Sequence, residues 1–192
     1  MTDPKNIAIL ASGSGSNAEK IIHYFKNHKT INIACVITNN ENAGAIERAE
    51  KAHIPSKYFT KEDFENPEVI LQYLKSKEVD FIVLAGFLLK IAPEIVAKYP
   101  DKIINIHPAL LPKYGGKGMY GNHVHESVIL NKETESGITI HVVNDNYDEG
   151  RIIFQAKCDI SPQMGAKQLS AKVQQLEHQH FPKIIEEFVE NH

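Results

Sequence analysis

Asn105 and His107 stand two residues apart in Ile103-Ile104-Asn105-Ile106-His107-Pro108. The segment opens as a short apolar, β-branched run, which predicts a buried strand. Strand side chains alternate faces, so Asn105 and His107 share one face and Ile104 and Ile106 the other. Pro108 lacks an N–H and biases His107 to extended geometry, so the strand stops there. An amide and an imidazole then lie side by side at the carboxyl end of a strand, where open α/β sheets bind ligands. Asn can donate to a developing oxyanion, and His can donate, accept or carry charge. The bland alternative is a solvated polar strand end.

Ser12-Gly13-Ser14-Gly15-Ser16-Asn17 lies between an apolar strand (6–11) and a segment (18–28) with apolar residues Ile21, Ile22 and Phe25 at helical spacing. Strand, Gly/Ser turn and helix form an anion site, because the glycines admit close approach and the helix N-terminus offers free N–H groups. The alternative is a capped turn with no ligand. Gly13, Gly15 and Ala18 also fit a dinucleotide fingerprint. A nicotinamide site wants an acid at the end of the next strand, yet Thr38-Asn39-Asn40 stands there and the first acid is Glu41. A single phosphate fits better.

Other polar groups are less telling alone. The acidic loop 144–150 lacks the spacing of a calcium-binding loop, so it is either solvated or presents a carboxylate to a neighbouring site. Gln174 and Glu177 share a helix face, most simply a surface one. The apolar stretch 86–90 after a strand could wall a pocket for a flat ligand, or simply pack on the next helix. His123 and His125 point about 200° apart on a helix and no third ligand accompanies them, so no metal site is assigned.

The elements that must position these groups follow from periodicity. Strands are predicted at 6–11, 31–38, 55–59, 80–85, 103–107, 137–143 and 151–160. Helices are predicted at 18–28, 43–53, 67–77, 93–99, 122–130 and 166–189, the last bent at Pro182. Residues 61–66 read as a polar loop. Strand–helix alternation predicts a Rossmann-like α/β fold, with a mostly parallel central sheet and helices on both faces. An antiparallel C-terminal hairpin and a long C-terminal helix complete it. Residues 1–192 are expected to form one domain, long enough to bury about 70% of the unfolded surface. Apolar residues make up 42% and charged residues 23%, the net charge is -3 and the pI about 6.4. With no basic cluster, nucleic acid is a poor partner. No apolar run is long enough to span a membrane, and no secretory signal is read. Cys35 and Cys158 lie in separate apolar runs and read as reduced core thiols of a cytoplasmic protein.

Five features together resemble the glycinamide ribonucleotide formyltransferases of purine biosynthesis. They are Asn105-x-His107-Pro108, Leu110-Leu111-Pro112, the Ser12–Asn17 turn, Asp148 in its acidic loop and Gln174-x-x-Glu177-His178. The resemblance runs from about residue 6 to 188. It implies formyl transfer from 10-formyltetrahydrofolate, as co-substrate, to the amine of 5-phosphoribosylglycinamide, in a monomer or homodimer with no metal. Asn105, His107 and Asp148 would be catalytic. Asn105 and a protonated His107 would donate to the oxyanion, and Asp148 would favour the imidazolium or hold a proton-carrying water. Ser14, Gly15, Ser16 and Asn17 would hold the phosphate, and Gln174 and Glu177 the ribose and glycinamide end. Leu88, Leu89, Lys90, Ile91, Val143, Asn144 and Asp145 would line the folate pocket, with His141 behind the catalytic pair.

The chain departs from the family in Gly115-Gly116-Lys117-Gly118, where many members carry Pro, and in lacking Arg at 66–68 and at 89. Lys113, Lys117 and Lys90 are the candidate cations for the phosphate or the folate tail. Three other readings stand beside this one. A formyltetrahydrofolate hydrolase would carry a further domain ahead of this unit, a methionyl-tRNA formyltransferase one behind it and a basic surface. A non-catalytic nucleotide-binding module would bind phosphate without turnover.

Overall fold

In the computed structural model, which describes residues 4–192, the chain runs as alternating strands and helices. In order these are β1 (Lys5–Leu10), α1 (Ser16–Phe25), β2 (Ile31–Thr38), α2 (Gly44–Lys51), β3 (Ser56–Tyr58), α3 (Lys61–Glu65) and α4 (Glu68–Ser76). Then follow β4 (Phe81–Leu84), α5 (Pro93–Lys98), β5 (Ile103–His107), α6 (Asn122–Leu130), β6 (Glu135–Val142), β7 (Ile152–Asp159) and α7 (Ala166–Glu190). The strands form one sheet in the order β3-β2-β1-β4-β5-β6-β7. Pairings from β3 through β5 are parallel, and β6 and β7 add on antiparallel. The expected Rossmann-like architecture with an antiparallel C-terminal hairpin is what forms.

Alternation along each strand builds two cores. Ile7, Ile9, Val83, Ile104, Ile106, Ile138 and Ile140 face α1 and α7. Ala8, Leu10, Ile37, Ile82, Leu84 and Ile103 face Ile70 and Leu74 of α4 and Ile95 of α5. A fully buried Ile contributes roughly 1.5–3 kcal/mol, so a one-residue slip of β1 or β5 would be prohibitive. That register leaves Asn105 and His107 on the Ile103 face.

The sheet order has a functional corollary. The chain leaves β1 towards β2 on one side and returns to β4 on the other, so the loops after β1 and β4 part above the strand ends and open a cleft.

One predicted loop is a helix. Residues 61–66 read as polar coil, but Lys61–Glu65 forms α3. The Thr60 hydroxyl accepts from Asp63 N–H at 3.2 Å and the Asp63 carboxylate accepts from Thr60 N–H at 2.8 Å. This reciprocal cap satisfies two backbone donors, and Phe64 anchors the turn in the second core. Pro182 lies inside α7, which continues through it. Among the described residues no helix is long and apolar enough to cross a membrane.

Candidate active site

β5 and β6 pair so that Asn105 faces His141 and His107 faces Thr139. Asn105 Nδ2 donates to His141 Nε2 at 3.1 Å, and His141 Nδ1 donates to the Val142 carbonyl at 3.0 Å. A carbonyl only accepts, so His141 is the Nδ1–H tautomer and its Nε2 is free to take the amide proton. His107 Nε2 lies 2.7 Å from the Tyr114 carbonyl, which by the same logic makes it the Nε2–H tautomer. Its Nδ1 is turned to Asp148 Oδ2 at 3.6 Å.

Asp148 reaches this pair from the loop between β6 and β7, with φ of 56°. Its Oδ2 accepts the Gly116 N–H at 2.9 Å and its Oδ1 is 3.5 Å from His141 Nε2. Burial acts to raise the Asp148 carboxyl. His141, His107 and the Gly116 N–H outweigh it, so the group stays below its ordinary value and ionised. Gly115 and Gly150 make this packing possible. A Cβ on Gly115 would strike Leu111 and crowd Asp148, and one on Gly150 would strike the Val142 carbonyl.

Asp148 does favour the His107 imidazolium, as expected, but burial opposes it more strongly. Burial pushes the imidazole below its usual value, and the upward pull of Asp148 and the Tyr114 carbonyl does not recover it. Before ligand binds, burial therefore favours the neutral imidazole.

The turn before α1 is held open from behind. Gly15 has φ of 74°, and a Cβ there would run into Ala45 of α2. Arg48 Nε donates to the Ser14 carbonyl at 2.8 Å while its guanidinium pairs with Glu19. The Ser12 hydroxyl donates to Asn39 Oδ1 at 2.5 Å and accepts the Leu88 N–H at 2.9 Å. With these anchors and no side-chain cap on α1, the first N–H groups of the helix lack intrahelical partners, and Gly13 to Asn17 line the cleft.

Gln174 and Glu177, most simply read as surface groups, reach that turn from α7. Gln174 donates to the Ser16 hydroxyl at 3.1 Å and Asn17 Nδ2 to Glu177 Oε2 at 2.8 Å. Burial raises the Glu177 carboxyl, with the Asn17 amide opposing. Asn17 Oδ1 is buried without a partner.

The cleft has a volume of about 920 Å³. Asn105, His107, His141, Asp148, the 13–17 turn, Gln174, Glu177, Leu88, Leu89, Lys90, Ile91, Val143 and Asn144 all line it. Asp145 does not. Asn144 Oδ1 accepts the Asn146 N–H at 2.9 Å, a side-chain turn. Asp145 is exposed at its tip, and Asn146 and Tyr147 line the cleft instead. Lys90 Nζ lies 5.6 Å from the Tyr147 ring, bridging the two loops. Of the other candidate cations, Lys117 lines the cleft, whereas Lys113 pairs with Glu133 at 2.9 Å.

Among the lining residues not expected from the sequence are Lys61 and His125. Lys61 was masked by reading 61–66 as coil, although Thr60 and Asp63 carry the helix-start signal. His125 is 5% exposed and burial lowers its imidazole, with His107 adding to the effect. His123 points to solvent and pairs with Glu126, so the two do not converge. Among the described residues, one group brings metal-ligating atoms within 4.8 Å of one another: His28, Glu186 and Glu190. Its His28 is 2.9 Å from Glu186.

With this geometry in place, comparison with known proteins is specific. The formyl transferase family pattern matches residues 5–185. A phosphoribosylglycinamide formyltransferase from Haemophilus influenzae is 38% identical over 191 residues, covering 97% of this chain and 88% of that protein. The chloroplastic phosphoribosylglycinamide formyltransferase of Arabidopsis thaliana is 37% identical over 188 residues, 94% of this chain, which spans 64% of that protein. The crystal structure of phosphoribosylglycinamide formyltransferase from Bacillus halodurans superposes with a TM-score of 0.88 at 34% identity, covering 96% of this chain and 95% of that one.

Proposed function

Since the chain belongs to the formyl transferase family, we propose that it transfers the formyl group of 10-formyltetrahydrofolate to the amine of 5-phosphoribosylglycinamide, a step of purine biosynthesis. The observation that carries this reading is convergence. Asn105 and His107 from β5 and Asp148 from the β6–β7 loop meet at one cleft, which also holds a built anion turn.

In this assignment the N–H groups of Ser14, Gly15, Ser16 and Asn17 hold the phosphate, with the α1 dipole behind them. Gln174 and Glu177 exchange their bonds to Ser16 and Asn17 for bonds to the ribose and glycinamide. Leu88, Leu89, Ile91 and Val143 supply the apolar wall for a pteridine ring, and Lys61 and Lys90 the charge for an acidic tail. Holding both substrates in one cleft supplies roughly 7–11 kcal/mol of the barrier.

The amine attacks the formyl carbon, the C–N bond forms and the carbonyl electrons move to oxygen. Asn105, its orientation set by His141, has a second Nδ2 hydrogen for that oxyanion, worth about 3 kcal/mol. The negative charge growing beside neutral His107 raises its proton affinity as the attacking nitrogen sheds a proton. Nδ1 is the open position, and ionised Asp148 stabilises the imidazolium. The proton then passes to the folate nitrogen as its bond to carbon breaks, leaving formylated amide and tetrahydrofolate. We place the enzyme in the cytoplasm as one formyltransferase domain; the thiol of buried, unpaired Cys35 is pushed up to about 12, suiting a reduced core.

The test follows loss of the formyl group spectroscopically, with and without 5-phosphoribosylglycinamide. Turnover only with the ribonucleotide is expected. Turnover without it would make the protein a formyltetrahydrofolate hydrolase, and none at all, with folding verified, a binding module.

A further inference from the structure

Thr139 sits opposite His107 in the β5–β6 register and is fully buried. Its hydroxyl donates to the Ala109 carbonyl at 2.7 Å and accepts the Leu111 N–H at 3.0 Å. It also accepts from Gln155 Nε2 at 2.9 Å. One donor and two acceptors are the whole capacity of a hydroxyl. Gln155, on the edge strand β7, uses the same amide nitrogen to donate to the Leu111 carbonyl at 3.0 Å. Thr139 and Gln155 together hold the Ala109 carbonyl and both polar groups of the Leu111 backbone, in the segment that leaves β5 directly after His107.

That segment folds back on the histidine it follows. Tyr114, at φ of 57°, turns its carbonyl to His107 Nε2. Its own hydroxyl is anchored on Glu133 at 2.9 Å. The next residue, Gly115, fits between Leu111 and Asp148. A shift of Leu111 would therefore move the Tyr114 carbonyl, the group that decides which ring nitrogen of His107 carries the proton.

We propose that Thr139 and Gln155 form a clamp that sets the Tyr114 carbonyl, and through it holds His107 as the Nε2–H tautomer with Nδ1 open to Asp148. Neither side chain lines the cleft, so both are positioning residues. The proposal rests on reading His107 as the catalytic imidazole.

The experiment uses the full chain labelled with 15N-histidine, with His107→Asn to assign the His107 signals. Wild type and Thr139→Ser are expected to show His107 as one tautomer, protonated at Nε2. Thr139→Val and Gln155→Leu are expected to show a mixture. In parallel, Thr139→Val should lower kcat about 100-fold, the cost of a small misplacement, with KM for the ribonucleotide changed less than about threefold. Thr139→Ser should restore kcat. A purely structural role would lower thermal stability and leave the tautomer single, which would overturn the clamp. Should Thr139→Val not fold, Gln155→Leu, altered at an exposed strand position, decides by the same tautomer readout. A mixed tautomer with unchanged kcat would uphold the clamp and instead sink the catalytic reading of His107.

Discussion

The Asn105 amide serves two partners, with one hydrogen on His141 Nε2 and the other left for substrate oxygen. His107 is likewise divided, Nε2–H to Tyr114 and Nδ1 to Asp148. Groups that act on the transition state and not on the bound ribonucleotide should cost kcat when removed. Asn105→Ala and His107→Ala are each expected to lower kcat by about 10²–10³, with KM for the ribonucleotide nearly unchanged. Steady-state kinetics checks this, and a matching loss in ribonucleotide affinity would make the pair a binding element. Both residues are legible in the sequence because alternation along a strand and the stop at Pro108 are local rules. The protonation state of His107 is not, since it is set by how much protein covers the ring.

At the scale of elements, the anion turn is a joint product of β1, α1 and α2. Gly15 needs the left-handed region and has Ala45 against the place its Cβ would occupy, while Arg48 tethers the Ser14 carbonyl. The half-exposed Arg48–Glu19 pair itself adds little stability; its value is the position of the turn. Gly15→Ala is expected to destabilise the fold by about 1–3 kcal/mol and to raise KM for the ribonucleotide far more than it lowers kcat. Urea unfolding and kinetics at saturating folate measure the two effects. The turn's composition marks it as an anion site, but no periodicity in 43–53 announces that α2 would supply its backing. Likewise the Thr60/Asp63 cap is local and readable, yet α3 is decided by Phe64 finding the core.

The whole molecule should be acid-sensitive, and its buried histidines say where. His107, His125 and His178 are each held below their ordinary values, in every case by burial first. The unfolded chain takes up protons near pH 6.5 while the folded one resists, so stability present above that pH is lost as pH falls below it. Asp148, held down, adds a second and lower window: its contribution is present above about pH 4 and lost as pH falls through its folded value. A lower urea midpoint at pH 5.5 than at pH 7.5 is expected; equal midpoints would mean these rings are open to solvent.

The same scale separates what the chain alone determined from what folding decided. Strand and helix order, the Asn105/His107 face, the Gly/Ser turn and the Gln174/Glu177 face follow from periods and turn chemistry that act over a few residues. Tertiary structure decided the rest. It brought Asp148 between two histidines, because β6 and β7 must pair antiparallel beside β5. It also turned Gln174 and Glu177 onto the anion turn, faced Asp145 to solvent, and placed Lys61 and His125 on the cleft wall. These outcomes depend on which elements pack together and how deeply, quantities summed over the whole sheet and carried by no short stretch of chain.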